Sequence, residues 1–358
     1  MKIQTGQKVK SKTPVQTTMR VPKTAYPKGM WNLYEDGITQ SMLNVFLTCP
    51  EKMRLSYCQG LESNKSATSA MEFGNLIHDL LDMVYSGFRD AGDQRAFVDD
   101  LQPNLTIAIN EYHDDKNKEL TAEGSDVNSL ELNTALADLI LPSYFNTWKE
   151  DWTTFEWVAL EEVFDEILTL EFNDVEYKIR IRGKFDGIVR INGKLWLFET
   201  KTKGRIEEDN IVDKLSLDLQ VFLYFWAVQQ KYKEYPVGVI YNIIRKPQQR
   251  RKTDEGIKEF ASRVGIEVRK DPAHYFMRIN GSVTAPEIKE WEKEFKEIMR
   301  QLINWYEGGF HFKNTTNCVG GFSACTFLAL CGGGRQEFYR PRKKLFKELD
   351  MIPFKMRQ

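Results

Sequence analysis

The chain has 358 residues, a length that suits one large domain or two small ones. Hydrophobic residues make up 42% and aromatic residues 12%, enough to bury a sizeable core, which excludes a wholly disordered chain. The net charge of −1 excludes a polycation that binds nucleic acid through overall charge alone. The longest apolar runs are far shorter than a membrane span, and residues 1–27 contain no apolar block typical of a signal peptide. We therefore expect a soluble cytoplasmic protein without a membrane partner.

The distribution of charge is more informative than its sum. Seven basic residues precede the first acidic one, Glu35, in a stretch rich in Thr and Pro, which predicts a flexible basic arm over residues 1–35. Two further basic clusters follow, one at 245–252 and one at 340–344. Such clusters are often plain solvated surface, but Arg245 and Lys246 are candidates for contacts with DNA phosphates.

Hydrophobic spacing divides the rest of the chain into a helical part and a sheet part. Helical spacing covers residues 41–57, 67–85 and 94–149, the last with a polar loop near Gly124–Ser125. β-rich or alternating segments follow at 155–164, 167–172, 175–189 and 194–202. A helix is predicted at 216–232, a strand at 237–244 and a long amphipathic helix at 286–306. This order predicts an α/β or α+β fold with an antiparallel-rich sheet between about residues 155 and 245.

One predicted hairpin carries the main chemical signal. Asn192-Gly193 between two β-rich runs predicts a two-residue type I′ turn, which makes Ile191 face Lys194. The same register brings Asp186 opposite Glu199, and the alternation of side chains puts Lys201 on the same face as Glu199. Two facing carboxylates are unfavourable unless a cation lies between them. The arrangement therefore suits a hard divalent cation and a phosphate, and a solvated sheet face is the alternative.

Four short motifs follow one another along the chain: Gly74-Asn-Leu-Ile-His78, Gly183-Lys-Phe-Asp186, Glu199-Thr-Lys201 and Gln220-Val-Phe-Leu-Tyr224. In this order they resemble the RecB-like branch of the PD-(D/E)XK nuclease superfamily, and the resemblance covers roughly residues 40–335. No proline precedes Asp186, which departs from the superfamily pattern. The resemblance implies a restriction-endonuclease-like core, that is, a mixed central sheet flanked by helices. It also implies an N-terminal helical region and a C-terminal cysteine staple.

The resemblance also implies a role for each motif residue. His78, Asp186 and Glu199 would ligate Mg²⁺ or Mn²⁺ together with the backbone carbonyl of Thr200. Lys201 would position or help to activate the attacking water and stabilise the negative charge that develops on the phosphate. Gln220 and Tyr224, four residues apart on one helix face, would contact the substrate or order the site. Considered singly, His78, Gln220 and Tyr224 are better explained as ordinary helix residues.

The cysteines predict a second metal site. In an intracellular chain, metal ligation is the better explanation for cysteines than disulfides. Cys49 far upstream and Cys318, Cys325 and Cys331 near the end resemble the four thiolates that hold a [4Fe–4S] cluster in AddB-type, CRISPR-associated and phage relatives, with Cys58 as the spare. The spacing of the last three departs from that motif. A Cys₄ zinc site or buried cysteines without metal are the alternatives.

These motifs predict both an organisation and a function. We expect a basic arm at 1–35, a helical region with Cys49 and His78 at 36–150, a nuclease core at 151–285, and at 286–358 a helix and cysteine cluster that pack back on the N-terminal region. The predicted function is a metal-dependent DNA nuclease, an exonuclease rather than an endonuclease, in phage or bacterial recombination, replication or repair. No phosphate-binding Gly-rich loop is present, so a helicase or recombinase would be a separate partner. The alternatives are a non-catalytic DNA-binding or assembly protein with a nuclease fold and a CRISPR-type end-trimming nuclease.

Overall fold

A computed structural model describes residues 31–64, 69–122, 127–204, 211–215, 217–309, 311–320 and 323–342. The predicted basic arm lies outside the described residues up to residue 30, as do the predicted loop at Gly124–Ser125 and the end of the third basic cluster. Trp31 and Leu33 are buried in the core, so residues 31–35, which the sequence assigned to the arm, are part of the packed structure.

The described secondary structure follows the predicted order of helices first and sheet second. The helices are α1 Gln40–Thr48, α2 Pro50–Met53, α3 Ser69–Asp90, α4 Gln94–Asp99, α5 Leu101–Ala122, α6 Asn128–Thr147, α7 Asp151–Thr154, α8 Ile211–Leu215, α9 Leu219–Tyr232, α10 Ile257–Lys270, α11 Pro272–Tyr275, α12 Ala285–Gly308 and α13 Leu328–Gly333. The strands are β1 Ile38–Thr39, β2 Leu61–Ser63, β3 Glu156–Phe172, β4 Val175–Ile191, β5 Lys194–Lys203, β6 Gly238–Arg245, β7 Phe276–Ser282, β8 Val319–Gly320, β9 Ser323–Ala324 and β10 Tyr339–Pro341.

Two segments with helical spacing each form more than one helix in the structure. The helix predicted at 41–57 breaks at Cys49, whose backbone is extended with φ −166° and ψ 113°, because the residue before a proline avoids helical geometry. Pro50 then begins α2, and a π-helical turn continues the chain over Arg54–Cys58. The segment 94–149 forms α4, α5 and α6 rather than one run. The two β-rich segments at 155–164 and 167–172, by contrast, form one continuous strand, β3.

A mixed six-stranded sheet forms the centre of the molecule, which confirms the predicted fold class. The pairs β3–β4, β4–β5 and β6–β7 are antiparallel, whereas β1–β4 and β5–β6 are parallel. One face of the sheet packs against α9 and α12, and the other packs against α3, α5, α6 and α10. The β1 and β7 strands and α10 were not predicted from the sequence.

The predicted hairpin between β4 and β5 has the predicted register. Asn192 and Gly193 have φ values of 51° and 76°, as a type I′ turn requires. Ile191 pairs with Lys194, and the pairing continues in that register to Gly187 and Phe198. Beyond this point β4 leaves β5 and pairs with β1 through Ile181 and Arg182. The two strands therefore diverge at Asp186 and Glu199, and a cleft opens there.

The two ends of the described chain meet beside α1. β10 pairs with β2 through Tyr339 and Ser63, and the backbone N–H of Glu51 donates a hydrogen bond to the carbonyl of Phe312. Within the described residues, no helix has the length and apolarity needed to cross a membrane.

Candidate active site

Helix α3 brings His78 to the cleft. A Cβ on Gly74, one turn before His78, would lie 2.8 Å from Thr202 Oγ1, so the absence of a side chain lets α3 approach β5 closely. His78 Nδ1 lies 3.4 Å from Asp186 Oδ2. Burial alone would lower the pKa of His78, but the negative charge of Asp186 outweighs this effect and raises that pKa to about 9.

Asp186 lies where β4 and β5 separate. Its Oδ2 accepts a hydrogen bond of 2.8 Å from the backbone N–H of Thr200, so a side chain takes the place of a backbone partner at this point of the ladder. Burial favours the neutral acid, but His78 and Lys201 favour the carboxylate, and together with the Thr200 N–H they hold its pKa below the ordinary range. Asp186 is therefore an anion that can accept a cation at neutral pH.

Glu199, Lys201 and Gln220 form a hydrogen-bonded triangle at the same cleft. Lys201 Nζ lies 2.5 Å from Glu199 Oε1 and 3.0 Å from Gln220 Oε1, and Gln220 Nε2 donates to Glu199 Oε1 at 2.6 Å. Asp218 caps the first turn of α9 by accepting from the Gln220 N–H, which orients the start of that helix. The sequence-predicted residues of β5 and α9 are thus in direct contact.

The protonation of this triangle follows from its burial. Glu199 is 1% exposed, and burial, followed by the charge of Asp186, raises its pKa to about 7. Burial alone would lower the pKa of Lys201, but Glu199 and Asp186 raise it above its ordinary value, so Lys201 stays an ammonium ion. Glu199 Oε2 is buried and has no hydrogen-bond partner within the described residues.

The ring of Tyr224 is packed against aromatic side chains of the core. It meets the rings of Phe164 and Phe185 edge-on at centroid distances of 5.6 and 5.5 Å. Its position one turn after Gln220 places it on the predicted helix face. The predicted contact between Tyr224 and substrate stays a prediction.

Glu161 belongs to the site, although no sequence motif included it. Ligand atoms of Glu161, His78 and Asp186 all lie within 4.8 Å of one another, whereas Glu199 is not part of this group. Glu161 pairs with Lys184, and burial followed by the charge of Asp186 raises its pKa to about 8. Its φ of 46° is in the left-handed region, a strained backbone that is uncommon inside a strand and concentrated at functional sites.

A second two-residue turn was the signal that could have identified Glu161. Asn173 and Asp174, with φ values of 50° and 58°, connect β3 to β4. The register that they set, from Phe172–Val175 up to Glu162–Phe185 and Leu160–Gly187, leaves Glu161 directly across from Asp186.

A cavity of about 460 Å³ lies over these side chains. It is lined by Met71, Gly74, Asn75, His78, Asp79, Glu161, Lys184, Asp186, Lys201 and Thr202. The cluster is thus open to a ligand from the α3 side of the sheet.

Arg245 and Lys246 lie at the end of β6. Arg245 donates its Nε hydrogen to the carbonyl of His274 at 2.8 Å. The ammonium of Lys246 lies 5.2 Å from the ring centre of Phe73, which precedes the cavity-lining Gly74, and burial lowers the pKa of Lys246. Of the two, Lys246 is the one beside the helix that carries His78.

The four cysteines of the predicted cluster come from both ends of the chain. Asn314 connects two of them, because its N–H donates to Cys49 Sγ at 3.4 Å and its carbonyl accepts from Cys318 Sγ at 3.8 Å. Burial raises the pKa of the Cys331 thiol, and the neighbouring Cys325 and Cys49 contribute. Within the described residues, no three cysteine sulfurs lie within 4.8 Å of one another. Cys58, the predicted spare, is buried in the core, and burial raises its pKa to about 12.

The side chain of Thr200 is hydrogen-bonded to a buried polar network. Thr200 Oγ1 accepts from Asn242 Nδ2 at 3.2 Å, and Asn242 Oδ1 accepts from Arg278 Nε at 3.1 Å. Both terminal nitrogens of Arg278 donate to the Asp151 carboxylate, at 2.6 and 2.7 Å. These contacts connect α7, β7 and β6 to the residue that hydrogen-bonds Asp186.

One family model and two solved structures are similar to this chain. The family model of the PD-(D/E)XK nuclease superfamily matches residues 38–332. Among solved structures, a proposed exonuclease from Eubacterium rectale is similar at 14% identity with a TM-score of 0.39, over 83% of this chain and 93% of that one. A protein named SSO0001 is similar at 14% identity with a TM-score of 0.26, over 62% of this chain and 79% of that one. No curated protein sequence matches the chain. The family model spans most of the chain, so this protein belongs to the PD-(D/E)XK nuclease superfamily and is a nuclease.

Proposed function

We propose that this nuclease is a metal-dependent deoxyribonuclease of the RecB-like branch that removes nucleotides from DNA ends. The observation that carries the proposal is the meeting of His78, Asp186, Glu199, Lys201 and Gln220 at one cleft, in contacts of 2.5 to 3.4 Å. A hydrolytic site for phosphodiesters needs both cation ligands and a fixed positive group, and this cleft offers the two side by side.

The donor set fits a divalent cation. Carboxylate oxygens from Asp186 and Glu199, with His78 as a nitrogen donor, suit Mg²⁺ or Mn²⁺ better than a soft metal. Among the described residues, the buried Glu199 Oε2 has no hydrogen-bond partner, and it is the kind of atom that a cation would satisfy. The Thr200 carbonyl is the proposed fourth ligand. A bound ion would supply Lewis acidity at the scissile phosphate.

Lys201 and Gln220 provide the fixed polar groups of the reaction. As an ammonium ion, Lys201 can orient a water molecule or stabilise the developing negative charge. Gln220 holds the Lys201 ammonium and Glu199 in place from α9. Tyr224, on the same face of α9, is proposed to contact the substrate or to order the site.

DNA is the proposed substrate, and the cytoplasm is the proposed location of the activity. Lys246, whose ammonium lies beside Phe73 of α3, is a candidate for a phosphate contact, and Arg245 is the second. Recombination, replication or repair in a phage or bacterium, with a helicase or recombinase as partner, is the setting that we propose by analogy with the RecB-like branch.

The test of the nuclease proposal is digestion of single- and double-stranded DNA labelled at the 5′ or the 3′ end, with Mg²⁺ or Mn²⁺. We expect metal-dependent release of nucleotides from one end by the wild type, a loss of at least about 100-fold in Glu199→Ala, and no change in Glu176→Ala, an exposed glutamate of the same sheet. Equal cutting by Glu199→Ala would refute the site. Cutting of closed circular DNA would refute the exonuclease assignment.

Two other functions give different results in this assay. A non-catalytic DNA-binding or assembly protein would retain labelled DNA without cutting it under any metal condition. A CRISPR-type end-trimming nuclease would stop after a defined short distance from the end, whereas a processive exonuclease would continue.

We also propose that Cys49, Cys318, Cys325 and Cys331 hold a [4Fe–4S] cluster that ties the two ends of the chain together. The contacts through Asn314 and the mutual influence of the thiols support this assignment. A zinc ion held by the same four thiolates is the alternative.

Anaerobic purification tests the cluster. We expect brown protein with about four iron and four sulfide per chain, both lost in Cys325→Ser and retained in Cys58→Ser. Stoichiometric zinc without iron would overturn the cluster in favour of the zinc alternative.

A further inference from the structure

We propose that Lys184 binds a second phosphate of the nucleic acid strand, next to the phosphate that is cut, and so positions the strand in the cleft. The inference rests on the proposed deoxyribonuclease function and adds a substrate contact to it. Lys184 lies two residues before Asp186 on β4, and both side chains line the cavity over the active site. Side chains two residues apart on a strand share a face of the sheet, so the two groups meet the same ligand space.

An ion pair holds Lys184 at the wall of this cavity. Its ammonium pairs with the carboxylate of Glu161, and the two side chains are only 14% and 11% exposed. Lysine side chains usually extend their charge into water, so a lysine fixed inside a cleft needs a physical explanation. Glu161 has the left-handed φ of 46°, and such backbone strain is concentrated at functional sites. The pair is therefore a candidate for a functional device.

Lys201 is held in the same way on the other side of Asp186. Its ammonium lies 2.5 Å from Glu199 Oε1, and it too is among the described residues that line the cavity. The two ion pairs belong to different strands, because Glu161 lies on β3, directly across from Asp186 on β4, whereas Glu199 lies on β5. The acidic centre of the cleft thus has one fixed ammonium group on each side.

The spacing of the strands assigns the two ammonium groups to different phosphates. Neighbouring strands are about 4.8 Å apart, so the carboxylates that hold the two lysines come from strands about 10 Å apart. β4 and β5 also diverge beyond the pairing of Gly187 with Phe198, which widens the cleft. A lysine contacts a phosphate as a point charge at hydrogen-bond distance, so one phosphate is too small to meet both. If Lys201 serves the phosphate that is cut, Lys184 serves its neighbour along the strand.

A contact with the neighbouring phosphate suits the hydrolysis of a polymer. The scissile bond stays aligned with an attacking water only if the strand is fixed on more than the reacting group. Phosphate contacts fix the register of the strand and do not depend on the base sequence. Lys184 is therefore a positioning residue, and its loss should raise KM more than it lowers kcat.

The experiment measures strand binding, so that it does not depend on cutting. DNA strands with a single uncharged methylphosphonate linkage, moved one position at a time from either end, are bound to the full chain in Ca²⁺, and Kd is measured by fluorescence anisotropy. We expect Lys184→Met to weaken binding of the unmodified strand about ten- to hundredfold, the effect of losing one charged hydrogen bond. Lys184→Arg, which keeps the charge, and Lys178→Met, an exposed lysine of the same strand, should bind like the wild type.

The position of the methylphosphonate identifies the phosphate. At one linkage the modification should weaken binding by the wild type and have no further effect on Lys184→Met. Product analysis in Mn²⁺ identifies the linkage that the wild type cuts, and the linkage that depends on Lys184 should be next to it. Circular dichroism verifies that each variant is folded.

Two results would overturn the inference. One is an unchanged Kd in folded Lys184→Met. The other is that the variant and the methylphosphonate act independently at every linkage, which would make Lys184 only the counterion of Glu161. The nuclease proposal fails separately, if the wild type shows the expected dependence on one linkage but never cuts. It survives if the wild type cuts and no linkage depends on Lys184, whereas a wild type that neither binds nor cuts overturns both.

Discussion

Lys201 illustrates how the environment of one residue determines its chemistry. Its ammonium lies between Glu199 and Gln220 and close to Asp186, and these carboxylates keep it charged although it is partly buried. A positive charge at this position is useful for stabilising a phosphoryl transition state.

Removing this charge should affect the reaction more than the metal centre. We expect Lys201→Met to lower kcat for DNA cleavage by about 100- to 1000-fold, the usual effect of losing one group that stabilises the transition state, with Mn²⁺ binding retained. Lys194→Met, a lysine at the exposed end of the same strand, should cut like the wild type. Unchanged kcat in Lys201→Met would contradict the role assigned to its ammonium.

His78 predicts a pH dependence of stability. Its pKa is about 9 in the folded protein against 6.5 when unperturbed, so the folded state retains a proton that the unfolded state releases in this interval. The contribution is complete below pH 6.5 and is lost as pH rises through 9. The pKa values of Glu199 and Glu161 are raised to about 7 and 8, so these side chains also retain protons in the folded state. Above pH 4.5 their titration therefore also lowers the stability as pH rises. We expect the free energy of unfolding of metal-free protein to fall between pH 6.5 and 9, measured by urea unfolding in EDTA.

Metal should reverse this trend, because His78 binds a cation only in its neutral form. The affinity of the wild type for Mn²⁺ should therefore rise over the same pH interval. In metal-free His78→Gln, the unfolding free energy should change less steeply with pH than in the wild type. An equal slope in His78→Gln would show that another group dominates the titration.

At the scale of elements, the close approach of α3 to β5 determines whether His78 reaches Asp186. The contact depends on Gly74, because a Cβ there would lie 2.8 Å from Thr202 Oγ1. A helix that shifts by even a few tenths of an ångström carries His78 with it, and metal ligands tolerate displacements of only about 0.5 Å.

Gly74→Ala should therefore weaken Mn²⁺ binding while leaving the protein folded. We expect at least a tenfold loss of affinity, in the range found for disturbed supports of metal ligands, measured by titration calorimetry. Gly92→Ala is the control, because a Cβ at Gly92 meets nothing within 4 Å. Wild-type affinity in Gly74→Ala would mean that Thr202 yields and α3 stays in place.

Sequence reasoning succeeded where the relevant contacts were local. The Asn192-Gly193 turn determines the pairing of β4 with β5, because the two residues adopt the backbone that the turn requires, and Asp186 and Glu199 follow from it. Gln220 was assigned from the family motif Gln220-Val-Phe-Leu-Tyr224, and it lies in the first turn of α9, two residues after the helix cap Asp218. The break at Cys49 was equally local, since Pro50 dictates it, and was missed only because apolar spacing continues across it.

The features that were missed depend on distant pairing. β1 is two residues long and exists because it pairs with Ile181 and Arg182, about 140 positions away, so no local pattern predicts it. The position of Glu161 opposite Asp186 is determined by a turn twelve residues downstream. Its proximity to His78 also requires that α3 is packed against the sheet. The division into arm, helical region, core and C-terminal region stays a prediction.

At the scale of the whole molecule, one buried network connects the helical region to the active site. Asp151 on α7, Arg278 on β7, Asn242 on β6 and Thr200 on β5 are joined in one series of hydrogen bonds, and Tyr85 on α3 also donates to Asp151 at 2.7 Å. Arg278 lies in addition 4.2 Å from the ring centre of Trp148. The network therefore extends from the helices α3 and α7 to β5, the strand that carries Glu199.

Breaking this network should destabilise the protein strongly. Arg278→Met leaves the buried Asp151 carboxylate without its cation, a change that costs about 3–5 kcal/mol of unfolding free energy. The exposed variant Lys293→Met should stay within about 0.5 kcal/mol of the wild type. The measurement is urea unfolding, and a loss below about 1 kcal/mol in Arg278→Met would mean that water enters to solvate Asp151.

The pairing of β10 with β2 joins segments that are almost the whole described chain apart. Closing so long a loop is entropically expensive, so we expect this closure to come after the sheet has formed during synthesis. A ribosome-bound chain would thus already contain every residue of the cleft while its cysteines were still unassembled. Insertion of the proposed cluster would then be the last event of maturation. A cell that lacks iron would accumulate a protein whose cleft is complete but whose β2 and β10 regions are not joined by a cluster.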